Sequence, residues 1–256
     1  MVTETDSDKS EQSRRGSYGI DAPWLLPVLG LLIAANVLNG ILSKSYWPFL
    51  AVAVILGFAG FGLYASRRGK FVVWTELIKG LHLRGDERIL DLGCGRGAIL
   101  IIAAKSLKTG KAIGIDIWNR RDQSSNSLDA TLRNAMVEGV SDRVEIRTAD
   151  MTELPFEDNC FDLVLSNLAI HNVKGELRSR AIEEAVRVLT PGGRFMIADI
   201  MGVAEYEKVL RKIGITTTTR RDLGWRMWWS GPWARTILVS CTKPTQGDSV
   251  DKYLQR

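Results

Sequence analysis

Asp91-Leu-Gly-Cys-Gly-Arg-Gly97 decides the fold, because it stands where a short apolar strand pattern gives way to a helical one. Residues 88–92 have the pattern of a buried strand, and residues 98–107 that of a helix. Glycine suits the turn between them, since a β-carbon would keep a ligand away from the backbone. The stretch therefore predicts a ligand at the start of the helix, where backbone amides face it.

The spacing of the turn indicates the charge of that ligand. Glycine occurs at every second position, 93, 95 and 97, whereas the dinucleotide fingerprint is GxGxxG. Asp91 precedes the first glycine by two residues, and a carboxylate there repels a pyrophosphate but attracts a sulfonium or an ammonium. Cys94 is interpreted as a small packing residue, because no base lies near it in the sequence. The turn thus favours a cationic ligand.

The rest of the domain alternates short apolar runs with helical periodicity, which is typical of a parallel sheet covered on both faces. Two final strands, 215–219 and 235–241, have only a loop between them and should pair antiparallel. The predicted fold class is α/β: a Rossmann-like, doubly wound, mostly parallel seven-stranded sheet with an antiparallel last strand. The other predicted strands are 88–92, 112–116, 143–148, 161–166 and 193–199, with helices at 98–107, 128–138, 175–189 and 204–212.

Further motifs follow the glycine turn in a fixed order. They are Asp116 at the end of the second strand, Ala149-Asp150-Met151, Asn167-Leu-Ala-Ile-His-Asn172 and Arg187-Val-Leu-Thr-Pro-Gly-Gly193. With the turn, this series resembles the class I S-adenosylmethionine-dependent methyltransferases. The chain looks closest to their quinone and other small-molecule C-methyltransferases.

The resemblance implies a set of cofactor contacts. Asp116 would accept hydrogen bonds from the ribose hydroxyls, Asp150 would hold the adenine amino group, and the backbone amide of Met151 would contact the ring. One departure from the family is the polar stretch at 118–126, on the adenine side of the expected pocket. The candidate cofactor-binding residues are Asp91, Gly93, Cys94, Gly95, Gly97, Asp116, Ile117, Asp150, Met151 and Asn167.

His171 is the candidate catalytic residue, because it follows the fourth strand at the edge where such sheets bind ligands. A base is needed if the acceptor is a phenol, an acidic carbon or a protonated amine. The alternative, that His171 only positions its loop, stays open. The same edge is bordered by further candidates for substrate contact: Asn167, Asn172, Asp199 and Tyr206. The alternative for Tyr206 is a position on the helix surface. The chain has no Asn/Asp-Pro-Pro-aromatic motif after this strand, so a planar nitrogen acceptor is disfavoured.

Two uncharged stretches, 22–42 and 46–66, are each long enough to cross a bilayer as a helix. Basic residues flank the pair, and a single lysine, Lys44, lies in the turn. The positive-inside rule therefore predicts a transmembrane helical hairpin at 21–67 with both termini cytoplasmic, followed by a catalytic domain at 68–244. A signal peptide or a buried soluble hairpin is the alternative. Residues 1–20 and 245–256 are expected to be mobile polar tails.

The remaining expectations concern partners. A net charge of +5 is dispersed along the chain, so no nucleic acid is expected, and three scattered cysteines indicate neither disulfides nor a metal site. Anchoring favours a lipophilic or membrane-associated acceptor. A non-catalytic adenosyl-binding sensor or scaffold and an RNA methyltransferase are the alternatives. Oligomerisation is left open, as is whether the tryptophan-rich segment at 224–233 covers the substrate mouth, lies on the bilayer or packs on the domain.

Overall fold

The computed structural model describes residues 16–245. The parts of the expected tails at 1–15 and 246–256 lie outside this range. Residues 16–20 were expected to be mobile, but they lie against the domain: the Gly16 amide donates to Glu138 Oε1 at 2.8 Å and the Ser17 amide to Asn134 Oδ1 at 2.8 Å. Composition could not show this, because the partners of these main-chain amides lie more than a hundred residues away.

Two apolar helices form a hairpin. Helix α1 covers Leu25–Ser43 and α2 covers Trp47–Tyr64, with Lys44 in the left-handed conformation between them. The second helix does not stop at the basic residues that follow it. It continues through a π-helical turn, Ala65–Gly69, into α3 at Lys70–Gly80. The predicted boundary at 67/68 therefore falls inside a continuous helix, since arginine and lysine favour helix and mark where a span ends rather than where a helix ends.

The sheet has seven strands in the order β3-β2-β1-β4-β5-β7-β6, and β7 alone runs in the direction opposite to the other six strands. The predicted Rossmann-like α/β fold is thus confirmed. The strands are β1 Arg88–Leu92, β2 Lys111–Asp116, β3 Val144–Thr148, β4 Phe161–Asn167, β5 Leu189–Asp199, β6 Thr218–Asp222 and β7 Ile237–Thr242. The remaining helices are α4 Ala98–Lys105, α5 Leu128–Val137, α6 Glu176–Val188 and α7 Val203–Lys212.

Helices cover both faces of the sheet because successive strand residues point to opposite sides. Ile89 of β1 packs with buried residues of α3, α4 and α5, whereas its neighbour Leu90 packs with those of α6 and α7. The carboxyl ends of β1, β2, β4 and β5 therefore meet at one edge, between the two helical layers. This edge is where the candidate site residues were expected.

The last strands differ from their predicted bounds. Strand β6 begins three residues later than expected, because Ile215 is buried after α7 and its amide donates to Leu210 O at 2.9 Å. Strand β5 begins earlier, at Leu189, and the predicted Pro-Gly turn forms an irregularity in its pairing with β4. Neither shift moves the edge that carries the site.

Candidate functional site

The glycine turn links β1 to α4. Gly93, Gly95 and Gly97 have φ angles of +69°, +52° and +81°, which other residues rarely adopt. The amides of Gly93 and Cys94 both donate to Ile115 O, each at 2.9 Å, so the turn is fastened to the end of β2. Cys94 is buried, and burial raises the pKa of its thiol well above the ordinary range. These features match a packing role for Cys94.

Asp116 at the end of β2 receives three hydrogen bonds. Its carboxylate accepts from the amide of Gly95 at 2.8 Å, the amide of Trp118 at 2.6 Å and the side-chain amide of Asn126 at 3.2 Å. An ionised carboxylate has about four acceptor positions, so it retains capacity for one further donor. Ile117 beside it is largely exposed. Asp116 therefore joins the glycine turn to the loop at 117–127.

Asp91 lies in β1 directly before the turn and is 1% exposed. Its Oδ2 has no hydrogen-bond partner among residues 16–245. Burial is the main cause that raises its pKa to about 8, and the charge of Asp116 raises it further against a backbone hydrogen bond that lowers it. A buried carboxyl without a full set of partners is poised to receive a cation.

The two predicted residues after β3 lie at the same edge. Asp150 is exposed, and its Oδ1 accepts from the amide of Thr152 at 2.8 Å, which orders the turn. Met151 is partly buried, and its methyl group lies close to Gly93. The structure thus brings Met151 to the glycine turn, whereas one oxygen of the Asp150 carboxylate is engaged in its own turn.

His171 is held by a buried carboxylate. It lies in a short 3-10 helix, Ile170–Asn172, after β4, and its Nδ1 is 2.6 Å from Asp199 Oδ1. Asp199 at the end of β5 is fully buried and also accepts from the His171 amide at 3.1 Å and the Tyr206 hydroxyl at 3.0 Å. Because the ionised carboxylate only accepts, the Nδ1 of a neutral His171 carries the proton and Nε2 has a lone pair.

This geometry changes the expected roles of two residues. Asp199 and Tyr206 were candidates for substrate contact, but both are fully buried and turn toward each other and toward His171. Burial and the nearby charge of Asp199 raise the pKa of Tyr206, so its hydroxyl stays protonated. They orient the histidine and do not face a ligand. The sequence placed both residues near the site, but it did not show the hydrogen bonds that join them.

Asn167 at the end of β4 has a partner that sequence reasoning missed. Its Oδ1 accepts from Trp74 Nε1 at 2.8 Å, and Trp74 is fully buried in α3. The Asn167 side chain is therefore held by this helix at the end of β4. Trp74 carries no local signal of this role, because it looks like any core tryptophan of an amphipathic helix.

With this geometry in place, the comparison with known families decides the class. Residues 83–223 match the family model of a methyltransferase domain, which is more than half of the 256-residue chain. The chain belongs to this methyltransferase family. The match supports the predicted methyltransferase activity and the predicted cofactor, S-adenosylmethionine.

Among relatives of this methyltransferase, a demethylmenaquinone methyltransferase of Symbiobacterium thermophilum is 34% identical over 130 residues. The alignment covers 50% of the chain and 49% of the relative, so the chain spans about half the length of that protein.

Solved structures share the fold. The [4+2]-cyclase SpnF aligns with a TM-score of 0.55 and 21% identity, over 67% of this chain and 80% of the other. A geranyl diphosphate methyltransferase in complex with S-adenosylmethionine aligns with a TM-score of 0.55 and 17% identity, over 68% and 85%. Identities this low establish the fold alone.

Proposed function

We propose that this methyltransferase is anchored in a membrane and methylates a small lipophilic acceptor, with His171 as the base. The observation that carries the proposal is the His171–Asp199 pair, which lies at the same sheet edge as the glycine turn. A proton acceptor beside a donor-binding turn is what methylation of a phenol or an acidic carbon needs. The buried Asp199 stabilises the imidazolium that forms when Nε2 takes the proton.

The residues at this edge fit the donor. S-adenosylmethionine supplies a methyl group on a positively charged sulfur and also carries an ammonium group. The buried, unpartnered oxygen of Asp91 suits a cationic group, and Asp116 has room for a ribose hydroxyl. We assign the donor contacts to Asp91, Gly93, Cys94, Gly95, Gly97, Asp116, Ile117, Asp150, Met151 and Asn167. Their task is to bind the donor and orient it toward the acceptor.

The helical hairpin supports membrane anchoring. Both apolar helices are long enough to cross a bilayer, and only 6% and 11% of the residues in their apolar 18-residue stretches are buried. Leu31 and Leu42 of α1 are each 73% exposed, so the catalytic domain does not cover this surface. A soluble hairpin would leave this apolar surface in water, which favours insertion. The exposed Arg67 and Arg68 at the domain end support, by the positive-inside rule, a cytoplasmic location of the domain and both termini.

The tryptophan-rich segment at 224–233 supports a position of the domain at the bilayer surface. Trp233 packs edge-on against Phe58 with ring centroids 4.5 Å apart, and Trp225 stacks on Tyr64 at 5.2 Å. The segment therefore lies along the domain end of α2, where aromatic rings prefer the bilayer interface. Trp225 and Trp233 remain more than half exposed. Of the three roles left open by the sequence, these contacts favour the position at the bilayer surface.

A lipophilic acceptor follows from this location and from the relatives. The Symbiobacterium protein is named for demethylmenaquinone and a structural neighbour for geranyl diphosphate, which are both isoprenoid compounds. An enzyme held at the bilayer meets such acceptors at high local concentration. We therefore place the acceptor among lipid-soluble phenols, quinone precursors and related isoprenoids.

The test uses the full chain in lipid nanodiscs with isotopically labelled methyl donor and a total lipid extract. We expect label in a lipid product, detected by mass analysis, and its loss in H171A with donor affinity unchanged. Donor binding without any labelled lipid or soluble product would contradict the proposed function and favour a sensor or scaffold. Label appearing in added RNA would favour an RNA methyltransferase instead.

A further inference from the structure

The base of the hairpin contacts the cofactor site through Asp21. Asp21 Oδ2 forms an ion pair with Lys70 Nζ at 2.7 Å and accepts from the Ser66 hydroxyl at 2.8 Å. Ser66 and Lys70 lie where α2 passes into α3, and each is 2% exposed. A buried ammonium needs such a partner, so residue 21 is fixed on the junction of the two helices.

The other oxygen of Asp21 points toward the cofactor loops. Asp21 Oδ1 accepts from Gln123 Nε2 at 3.0 Å, and Gln123 Oε1 accepts from the amide of Arg96 at 2.7 Å. Arg96 lies between the second and third glycines of the turn. A β-carbon on Gly95 would stand 2.5 Å from Gln123 Oε1, which shows how closely this side chain covers the turn. One hydrogen-bonded chain thus runs from the hairpin base to the glycine turn.

Main-chain pairing reinforces this chain. The amide of Ala22 donates to Asp122 O at 2.9 Å, and the amide of Ser124 donates to Ile20 O at 3.0 Å. We call residues 16–22 the N-terminal strap. It holds the loop at 117–127, which has no helix or regular strand and includes Trp118 and Ser125 at positive φ. The strap contacts add to the hydrogen bonds that Trp118 and Asn126 of this loop donate to Asp116.

Two amides of the turn are therefore fixed, one by the end of β2 and the other by the loop at 117–127. Asp116 receives the amide of Gly95, and Gln123 receives that of Arg96. A donor bound on the turn depends on their placement, since small displacements of a binding group weaken or misalign a ligand. Gln123 is itself oriented by Asp21, which in turn is held by Lys70.

From these contacts we infer that Asp21 and Gln123 are positioning residues of the donor site. They couple the hairpin base to the glycine turn, so donor affinity depends on the docked strap. The inference rests on cofactor binding, and it holds whatever the acceptor is.

The test measures donor affinity by calorimetry on the full chain in nanodiscs. Q123M keeps the approximate volume of the side chain but removes both hydrogen bonds, and we expect about tenfold weaker donor binding. A matched pair isolates the role of Asp21. D21N/K70M removes the buried charges but keeps an oxygen for Gln123, and it should bind the donor within threefold of the unmodified chain. D21A/K70M lacks that oxygen, and it should bind about tenfold more weakly.

Y18F is the control for general loosening of the strap. The Tyr18 hydroxyl donates to Glu138 Oε1 at 3.0 Å, so this contact of the strap is separate from those of Asp21. Y18F should leave donor affinity unchanged. Equal affinity of D21N/K70M and D21A/K70M in folded protein would overturn the inference, as would a loss in Y18F as large as that in D21A/K70M. The Asp21 pair decides the question if Q123M fails to fold.

Discussion

The change D199N tests how His171 is held. Asp199 accepts four hydrogen bonds: from His171 Nδ1 at 2.6 Å, the His171 amide at 3.1 Å, the Ile200 amide at 2.8 Å and the Tyr206 hydroxyl at 3.0 Å. An asparagine offers one oxygen with two lone pairs, and its NH2 group would face the other donors. Two hydrogen bonds to a charged group are therefore lost, a destabilisation of about 3–6 kcal/mol before relaxation.

The effect on turnover follows from the tautomer. If the new NH2 group faces Nδ1, that nitrogen must accept, and the proton moves to Nε2, which can no longer take a proton from the acceptor. We expect turnover to fall by about 10²- to 10⁴-fold, the contribution of a general base, while donor affinity stays within threefold. Label transfer to lipid extract measures the first quantity, and calorimetry with S-adenosylmethionine measures the second.

Y206F is the matched control for D199N. It removes one hydrogen bond from the same carboxylate but leaves the bond to His171, so it should lower the free energy of unfolding with only a small change in turnover. D199N turning over at the unmodified rate would refute the reasoning. The tautomer explanation would also fail if Y206F slowed turnover as much as D199N, because lost stability would then account for both rates.

Three further predictions address the donor site. D116A should weaken donor binding by about 1.5–3 kcal/mol in calorimetry, because hydrogen bonds to a charged group are lost, whereas D162A on the opposite end of the sheet should not. G93A should destabilise the protein in chemical denaturation by more than the roughly 1–2 kcal/mol that a left-handed backbone costs an alanine, because the added β-carbon meets Ala169. G139A is the control, since Gly139 has the same φ of +69° but open space around it. Equal losses of stability in the two variants would count against the packing argument. The pKa of Asp91 is about 8 in the folded protein, against an ordinary 3.8, so the folded state binds a proton at Asp91 more tightly than the unfolded state does. The protonated carboxyl therefore contributes fully to the free energy of unfolding below pH 3.8, and this contribution is lost as the pH rises toward 8. Stability measured relative to D91N should therefore fall across that range, by at most about 1.4 kcal/mol per pH unit, and a flat difference would show that Asp91 is ionised throughout.

The sequence predicted the parts of the fold that depend on local pattern. Strand β1 has the predicted bounds, because buried strands and glycine turns leave a strong signal in a few adjacent residues. The edge strand β6 was displaced, since its mostly exposed polar residues carry little hydrophobic pattern. Asp199 was also predicted to lie near the site, but its hydrogen bond to His171 was not predicted. A single aspartate at a strand end does not indicate whether its side chain is buried.

Contacts between residues that are distant in sequence could not be predicted from local pattern. Residues 16–20 of the strap were expected to be mobile because they include few apolar side chains, yet main-chain and side-chain hydrogen bonds to residues 122–138 hold them. Trp74 and Gln123 likewise serve the site through partners that are distant in sequence or specific to one loop. The continuous helix from Trp47 to Gly80 was missed because the basic residues 67, 68 and 70 were interpreted as the end of a membrane span, and a helix can continue past such residues.

The central claim is that one sheet edge holds the methyl donor at the glycine turn and a separate proton acceptor at His171. Paired measurements of donor affinity and methyl transfer on D116A and H171A, in the full chain in nanodiscs, test it most directly. We predict that D116A loses donor affinity, whereas H171A binds the donor normally and fails to transfer the methyl group. Normal methyl transfer by H171A, or donor affinity unchanged in folded D116A, would contradict the account.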